Sequence, residues 1–123
     1  MVEITVPLPP VPASRPRVTR WATYYAVKFA AWLEEAPGMM VQPGPAIDGP
    51  LKVGVECVCK RPAKPARDYP MGDVDNYAKG ILDAATKAGV WVDDVQVVSL
   101  LITKRYAAKG EAPCVKLTIS ENQ

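Results

Sequence analysis

The sequence predicts an α/β domain of the α+β type, in which a mixed four-stranded sheet and two main helices follow the order β-α-β-α-β-β. Segments in which every second residue is apolar predict the strands, because neighbouring side chains of a strand point to opposite faces. Segments whose apolar residues recur every three or four positions predict the helices. Thirteen prolines and eight glycines fall largely between these segments. The length of 123 residues predicts a single domain, residues 1–123, short enough that its active site could draw on a second subunit.

The first half of the chain contains one strand, one helix and a long connection. Residues Val2–Val6 alternate as a strand does, and a group of prolines ends that strand. Residues from about 22 to 35 have apolar side chains at helical spacing, and we expect Tyr25 and Trp32 among them to lie in the core. Residues 37–50 carry four prolines and three glycines without periodicity, which predicts a loop.

The second strand and the second helix are separated by a loop rich in positive charge. Residues 51–60 place alternate apolar side chains on one face and predict a strand. Residues 61–71 include three prolines and predict the loop. The helix is predicted from residue 74 or 75 to residue 88, and Gly89 suits the left-handed conformation that often ends a helix.

Two strands follow the second helix. Residues 95–106 form a long apolar segment, and residues 114–119 alternate apolar and polar side chains. The loop between them contains Gly110 and Pro113, so we expect these two strands to pair with each other as a hairpin.

The charged residues are unevenly distributed, although the net charge is only +2. A small net charge gives little information about partners, so the distribution has to be read instead. Basic residues form one group near the N-terminus and a second group just before the acidic part of the chain. These residues are Arg15, Arg17, Arg20, Lys60, Arg61, Lys64 and Arg67.

The content of cysteine and histidine excludes several classes of chemistry. The chain has three cysteines and no histidine, which removes Ser-His and Cys-His nucleophile pairs and disfavours a zinc site. Cys57 and Cys59 share one face of a predicted strand, where we expect them to be small buried apolar residues. The N-terminus has no signal-peptide pattern and no apolar run is long enough to span a membrane, so we expect a reduced, cytoplasmic protein with no membrane partner.

Carboxylates concentrate in the window between residues 73 and 94. Asp73 and Asp75 lie at the start of the second predicted helix, and Asp93 and Asp94 precede the next strand. Carboxylate oxygens are the ligands that Mg²⁺ prefers, and a bound Mg²⁺ can activate water and neutralise charge on a phosphate. We expect the two pairs to meet if the connection folds back on the sheet, which would suit hydrolysis of phosphodiesters.

Simpler explanations exist for each of these polar residues. Either of the first two acids could only cap the helix, as aspartate often does. Lys79 follows Asp75 by four residues and precedes Asp83 by four, so a surface ion pair with one of them could be its whole role. The later acid pair could belong to a solvated turn. A single cap accounts for one acid and leaves the others unexplained.

The same window carries a recognisable motif. From Asp73 onward the chain reads D-x-D-N-x-x-K, followed by D-A-x-x-x-A-G-x-W-x-D-D-x-Q-V. This pattern closely resembles the core motif of the RusA family of Holliday junction resolvases and covers about a fifth of the chain. The order of elements is also similar to the mixed α/β fold of that family, and Arg15-Pro16-Arg17 resembles the basic N-terminal segment of its phage-borne members.

The resemblance implies a homodimeric endodeoxyribonuclease that depends on Mg²⁺, with Mn²⁺ able to substitute. Its substrate would be the four-way DNA junction, which it would resolve by paired symmetric nicks during recombination and repair. A dimer with two-fold symmetry suits a junction that has nearly the same symmetry.

The resemblance also implies roles for individual residues. The metal-binding acids of the family fall on Asp73, Asp75 and Asp94, and its catalytic lysine falls on Lys79. Three further polar residues match family positions and are expected to support these four. They are Asn76 as a polar group that orients its neighbours, Asp83 as a partner of Lys79, and Asp93 as the weaker candidate ligand of its pair.

The two basic groups, from Arg15 to Arg20 and from Lys60 to Arg67, are expected to contact DNA phosphates, although basic loops are often only solvated. Two rival functions remain open at this point. One is a junction-binding or architectural DNA protein without catalysis, and the other is a general Mg²⁺ nuclease that acts on flaps or single strands. The four intact residues of the implied site favour an enzyme.

Overall fold

The structure, a computed structural model, describes residues 1–13, 20–42 and 44–121, with only the backbone described for residues 20–25. It has four strands and two long helices in the predicted order. The elements are β1 (Val2–Val6), α1 (Arg20–Glu35), β2 (Leu51–Cys59), α2 (Val74–Ala88), β3 (Val97–Tyr106) and β4 (Cys114–Glu121), with short 3₁₀ turns at Ala36–Met39 and Asp94–Gln96. The predicted α+β fold class, with a mixed four-stranded sheet, is therefore confirmed.

The strands form one sheet in the order β1-β4-β2-β3. Strand β2 pairs in parallel with β3, and β4 pairs antiparallel with both β1 and β2. The predicted hairpin between the last two strands is wrong, because β2 lies between β3 and β4. The connection from 107 to 113 crosses over the end of β2, and the N–H of Ala107 donates to the carbonyl of Cys59 there, at 2.8 Å. Strand β4 thereby takes a central position, and β3 becomes an edge strand.

Both helices cover one face of the sheet, and the core lies between them and that face. Val53, Val55, Leu117 and Ile119 point into this layer and are 1 to 4% exposed. They are packed against buried side chains of the helices, namely Trp32, Tyr77, Ile81, Ala84 and Ala85. The helical spacing that predicted the apolar face of α2 is thus confirmed. Tyr25, predicted as core, lies outside the described side chains.

Two of the three cysteines belong to the same buried layer, and the third lies on the other face of the sheet. Cys57 and Cys59 are buried on strand β2 as predicted, and Cys114 is buried at the start of β4. Burial raises the pKa of the Cys57 thiol to about 12, and the neighbouring Cys59 and Glu56 add to the shift. A thiol with such a pKa is protonated and unreactive at neutral pH.

The opposite face of the sheet is largely open to solvent, except at the buried Val58 and Cys114, and ion pairs link its strands. Arg105 on β3 reaches Glu56 on β2 at 2.8 Å and binds Glu111 through two hydrogen bonds of 2.6 and 2.7 Å. Glu111 also accepts a 2.8 Å bond from the N–H of Ala108. These contacts fix the connection from β3 to β4 against the edge of the sheet, and they lower the pKa of Glu111 to about 2, chiefly through the bonds from Arg105.

Strand β3 is unusually exposed for a strand so rich in apolar residues. Val98, Leu100 and Leu101 are 57, 40 and 71% exposed. Its outer edge has no neighbour in the described part of the chain, so the backbone groups of that edge remain available for pairing. In the part of the chain that the structure describes, no helix is both long and apolar enough to span a membrane.

Candidate active site

The first two acids lie at the start of α2. Asp73 is the N-cap residue, with extended backbone angles, and its carbonyl accepts hydrogen bonds from the N–H groups of Asn76 and Tyr77, both at 3.1 Å. Its exposed side chain accepts no capping hydrogen bond. The carboxylate of Asp73 is therefore not used to cap the helix, which weakens the simplest alternative to a ligand role. Asp75 lies in the first turn, where the helix dipole favours a negative charge.

A charged stripe continues from Asp75 along α2. Asp75, Lys79 and Asp83 follow one another at intervals of four residues, so they share the face opposite the buried Tyr77 and Ile81. Among the described residues, no ion pair within 4.0 Å joins Lys79 to Asp83. The expected role of Asp83 as a partner of Lys79 remains a prediction.

Asp93 and Gln96 together build the turn that carries the second acid pair. The carboxylate of Asp93 accepts a 3.0 Å bond from the N–H of Val95, and Gln96 Oε1 accepts bonds from the N–H groups of Val92 and Asp93 at 2.9 and 3.0 Å. This reciprocal arrangement is a capping box. Asp93 thus has a structural task in the turn, and its expected supporting role at the metal site remains a prediction.

The same glutamine also fixes the turn to a distant loop. Gln96 Nε2 donates to the carbonyls of Ile47 and Gly49 at 3.0 and 2.9 Å, and an isolated bridge joins Ile47 to Trp91. Trp91 is 1% exposed, and its Nε1 donates to Thr86 Oγ1 of α2 at 2.8 Å. The loop of residues 44–50 therefore serves to hold the turn in place, a task that its irregular sequence did not reveal.

Asp94 lies at the exposed tip of this turn. Partial desolvation raises the pKa of its carboxyl, and a hydrogen bond with Asp93 and the charges of Asp93 and Asp83 add to the shift. Asp83 is thus close enough to Asp94 for their charges to interact. A site where negative charges raise a carboxyl pKa is one that a cation would stabilise.

The structure places the two acid pairs apart within one chain. Lys104, near the far end of β3, contacts the segment before Asp73, whereas Asp94 precedes the near end of β3. The seven steps along the strand from Val97 to Lys104 extend about 23 Å at the rise of a strand. The expected position of Asp94 beside the start of α2 is therefore wrong for a single chain. No three His, Cys, Asp or Glu side chains of the described residues are grouped closely enough to hold a metal.

The second basic group surrounds the chain segment that leads to Asp73. Its exposed side chains are those of Lys60, Arg61, Lys64 and Arg67. Arg61 lies over the ring of Tyr106 and Arg67 over the ring of Tyr69, at 5.6 and 5.9 Å from the ring centroids. Such contacts orient the guanidinium groups while leaving them at the surface.

The first basic group lies largely outside the described residues. Arg15 and Arg17 fall in the undescribed segment, and Arg20 begins α1 without a described side chain. The chain enters that segment beside the candidate site, because the N–H of Ala13 donates to the carbonyl of Asn76 at 2.9 Å. Asn76, expected to orient its neighbours, is half-buried in the first turn of α2.

Two groups near the site were missed from the sequence. Lys104 donates to the carbonyls of Pro70 and Gly72, although it sits in a strand that otherwise reads as apolar. Gly72 lies against the ring of Tyr77, so that a Cβ at position 72 would come within 2.5 Å of ring atoms. For Lys104, the one available signal in the sequence was that a lysine shares a strand face with Leu100 and Ile102.

Comparison with known proteins identifies the family of this chain. A family model described as "Endodeoxyribonuclease RusA" matches residues 7–120. The chain belongs to the RusA family. Its relatives include the "Crossover junction endodeoxyribonuclease rusA" of Enterobacteria phage 82 and the RusA protein of the same description from Escherichia coli (strain K12), each 34% identical over 122 residues, which cover 96% of this chain and 92% of the relative.

A further relative with that description, from Escherichia coli O139:H28 (strain E24377A / ETEC), is 33% identical over 126 residues, again covering 96% of this chain and 92% of the relative. The RusA match spans both acid pairs, the lysine between them and the second basic group. Membership of this family of endodeoxyribonucleases confirms the resemblance and the prediction of a nuclease.

Proposed function

We propose that this RusA protein is a Mg²⁺-dependent endodeoxyribonuclease that binds four-way DNA junctions and resolves them by paired symmetric nicks as a homodimer. The observation that carries the proposal is the row of exposed charged residues from Asp73 along α2 to Asp94, in a chain whose relatives are named crossover junction endodeoxyribonucleases. Capping does not account for the carboxylates of Asp73 and Asp94. Asp73 stands at the N-cap position, but its side chain makes no capping hydrogen bond, and the turn is capped by the side chain of Asp93.

The donor set suits the metal. Asp73, Asp75 and Asp94 offer only carboxylate oxygens, which Mg²⁺ and Mn²⁺ both accept. When bound, the ion would supply Lewis-acid stabilisation of the phosphate and a water of lowered pKa. Lys79, one turn into α2 and exposed, would stabilise the negative charge that develops on the scissile phosphate.

The exposed edge of β3 supports a homodimer. A strand of ten residues with Val98, Leu100 and Leu101 exposed offers both unpaired backbone groups and apolar surface. In a dimer with two-fold symmetry, two copies of β3 would pair antiparallel at about 4.8 Å. Such pairing brings the Asp94 end of one strand beside the Lys104 end of the other, and with it the segment that carries Asp73. The two acid pairs that one chain keeps apart would then meet across the interface.

The basic surface supplies the affinity for DNA. Lys60 and Arg61 line a shallow cleft together with Lys109, and Lys64 and Arg67 extend the basic surface towards Asp73. Contacts with phosphates give affinity that falls with salt and carries little sequence information. We assign the N-terminal group of Arg15, Arg17 and Arg20 to the same task.

Cleavage of a labelled four-way junction tests the proposal. The protein is incubated with the junction or with linear duplex of matched sequence, in Mg²⁺, Mn²⁺ or EDTA. We expect nicks in the junction that require a divalent cation and spare the duplex. A plasmid that extrudes a cruciform distinguishes paired nicks, which give linear product, from single nicks, which give an open circle. Equal cutting of junction and duplex would exclude a resolvase and favour a general nuclease.

The variant Asp75→Asn separates catalysis from binding. We expect it to bind the junction in EDTA as the native protein does and to cut it at least about 100-fold more slowly, because a metal ligand is lost while the basic surface is kept. Asp48→Asn is the matched control, since the bond that Asp48 makes to the described residues is a local one, accepted from the N–H of Gly49. Junction binding without cleavage by the native protein in Mg²⁺ would instead support the catalytically silent, architectural alternative.

A further inference from the structure

Lys104 makes an uncommon contact for a lysine on a strand. Its Nζ donates to the carbonyl of Pro70 at 2.8 Å and to that of Gly72 at 2.6 Å. The side chain is half-buried and lies on the helix side of the sheet, because Lys104 is in register with the buried Cys57. The ammonium thus holds the two backbone carbonyls that lie one and three residues before Asp73.

Neighbouring side chains restrain the same short segment. The hydroxyl of Tyr106, two residues beyond Lys104 on β3, donates to the carbonyl of Tyr69 at 2.9 Å. The Lys104 ammonium lies 5.7 Å from the centroid of the Tyr69 ring. Gly72 packs against the ring of Tyr77, which is 5% exposed. Residues 69–72 are therefore fixed by β3 on one side and by α2 on the other.

Among the described residues, no carboxylate forms an ion pair with Lys104. Within the described part of the chain, no acidic side chain lies within 4.0 Å of its ammonium. Two carbonyls occupy it instead, and the next side chain along the segment is the carboxylate of Asp73. The ammonium therefore restrains the backbone that carries this carboxylate.

We infer that Lys104 is a positioning residue for Asp73, which it holds at the start of α2 through the carbonyls of Pro70 and Gly72. This inference rests on the proposed function, because Asp73 is a ligand only if the metal site exists. Groups that orient metal ligands typically change metal affinity or activity by about 10- to 100-fold when they are removed. Lys104 also lies on the proposed dimer edge, so it connects that edge to the site.

The variant Lys104→Met tests the inference, because it keeps the apolar stem and removes the ammonium. We expect the single-turnover rate on a junction to fall by about tenfold or more and the Mg²⁺ concentration at half-maximal rate to rise several-fold. Binding of Mn²⁺ to the protein alone, followed by electron paramagnetic resonance, should weaken in parallel. Affinity for the junction in EDTA should change less than about threefold, since the basic surface is retained.

Two further variants keep the inference falsifiable. Lys104→Arg can donate to both carbonyls and should recover most of the rate. Lys104→Gln keeps N–H donors but is shorter and uncharged, so its rate should fall between those of Lys104→Met and the native protein. If Lys104→Met fails to fold, the cleavage rates and Mn²⁺ binding of the arginine and glutamine variants test the inference in its place. Lys116→Met is the control, because Lys116 is exposed on the opposite face of the sheet.

The outcomes separate this inference from the proposed function. An unchanged metal requirement with a parallel loss of junction affinity would make Lys104 a DNA contact and overturn the inference. An unchanged rate and unchanged Mn²⁺ binding would overturn it as well. If the native protein cuts no junction but Lys104→Met still weakens Mn²⁺ binding, the proposed substrate fails and the inference about Lys104 holds.

Discussion

Replacement of Gln96 by leucine should destabilise the protein and release the turn that holds Asp94 in place. The side chain makes four hydrogen bonds of 2.9 to 3.0 Å, two as acceptor within the turn and two as donor to the loop at Ile47 and Gly49. Because the residue is only half-buried, each bond is assigned the low end of the usual range, about 0.5 kcal/mol. Four such bonds give a loss of about 2 kcal/mol in the free energy of unfolding.

Urea denaturation measures this change, and a thermal scan should show a midpoint lower by about 8 °C for a chain of this length. Single-turnover cleavage of a junction measures the second effect. We expect a loss of at least about tenfold, since a ligand carried by an unrestrained turn is poorly placed. Gln42→Leu is the matched control, because within the described part of the chain the Gln42 side chain makes a single bond, a 3.2 Å bond from its Nε2 to the carbonyl of Val90.

The comparison of the two glutamines makes the reasoning refutable. Gln42→Leu should cost well under half as much stability as Gln96→Leu and should leave the cleavage rate of the folded protein unchanged. If Gln96→Leu has the same urea midpoint of unfolding as the native protein, the four bonds make no net contribution to the free energy of unfolding. If it is destabilised as expected but cleaves at the native rate, the turn does not position Asp94 for catalysis.

Two other changes test the segment before Asp73 and the open face of the sheet. Gly72→Ala should cost about 1–3 kcal/mol and impair cleavage, because its Cβ would lie 2.5 Å from ring atoms of the buried Tyr77. Gly38→Ala, which meets nothing within 4 Å, is its control in urea denaturation, and equal stability of the two variants would contradict the steric reason. Glu111→Gln should lower the melting temperature at pH 7. Since folding lowers the Glu111 pKa from 4.5 to about 2, its stabilisation is complete above pH 4.5 and is lost as the pH falls towards 2. Melting curves should show the gap between native protein and variant narrowing over that range, and a constant gap would refute the assignment.

Local signals in the sequence predicted the helices and strands closely. Helix α2 runs over Val74–Ala88 as expected, and Gly89 ends it with a φ of 76°. Strand β1 has the predicted bounds. These boundaries depend on apolar spacing and on residues that stop an element, which act over a few positions. Strand β3 begins at Val97 rather than residue 95, because Gln96 draws the preceding residues into a 3₁₀ turn.

Pairing between strands could not be predicted in the same way. The loop with Gly110 and Pro113 is compatible with a hairpin, yet β4 pairs with β1 and β2. The strand order depends on how much apolar surface each strand buries in a central position. In that position β4 buries Val115, Leu117 and Ile119, which are 0 to 1% exposed. The parallel place beside β2 is left to β3 through the α2 crossover, the usual geometry of a β-α-β unit.

The position of β3 at the edge changes how the predicted ligands have to be understood. In the sequence, Asp73 and Asp94 are separated by a single helix, which suggests that they can meet within one chain. In the structure, α2 and β3 run in opposite directions, so the start of α2 lies beside the far end of β3 while Asp94 precedes its near end. In the proposed dimer, an antiparallel copy of β3 exchanges near and far ends. The same exposed strand would then set the two-fold symmetry of the paired nicks and complete each metal site. Variants that block strand pairing at Leu100 or Leu101 should therefore lose both the dimer and Mn²⁺ binding.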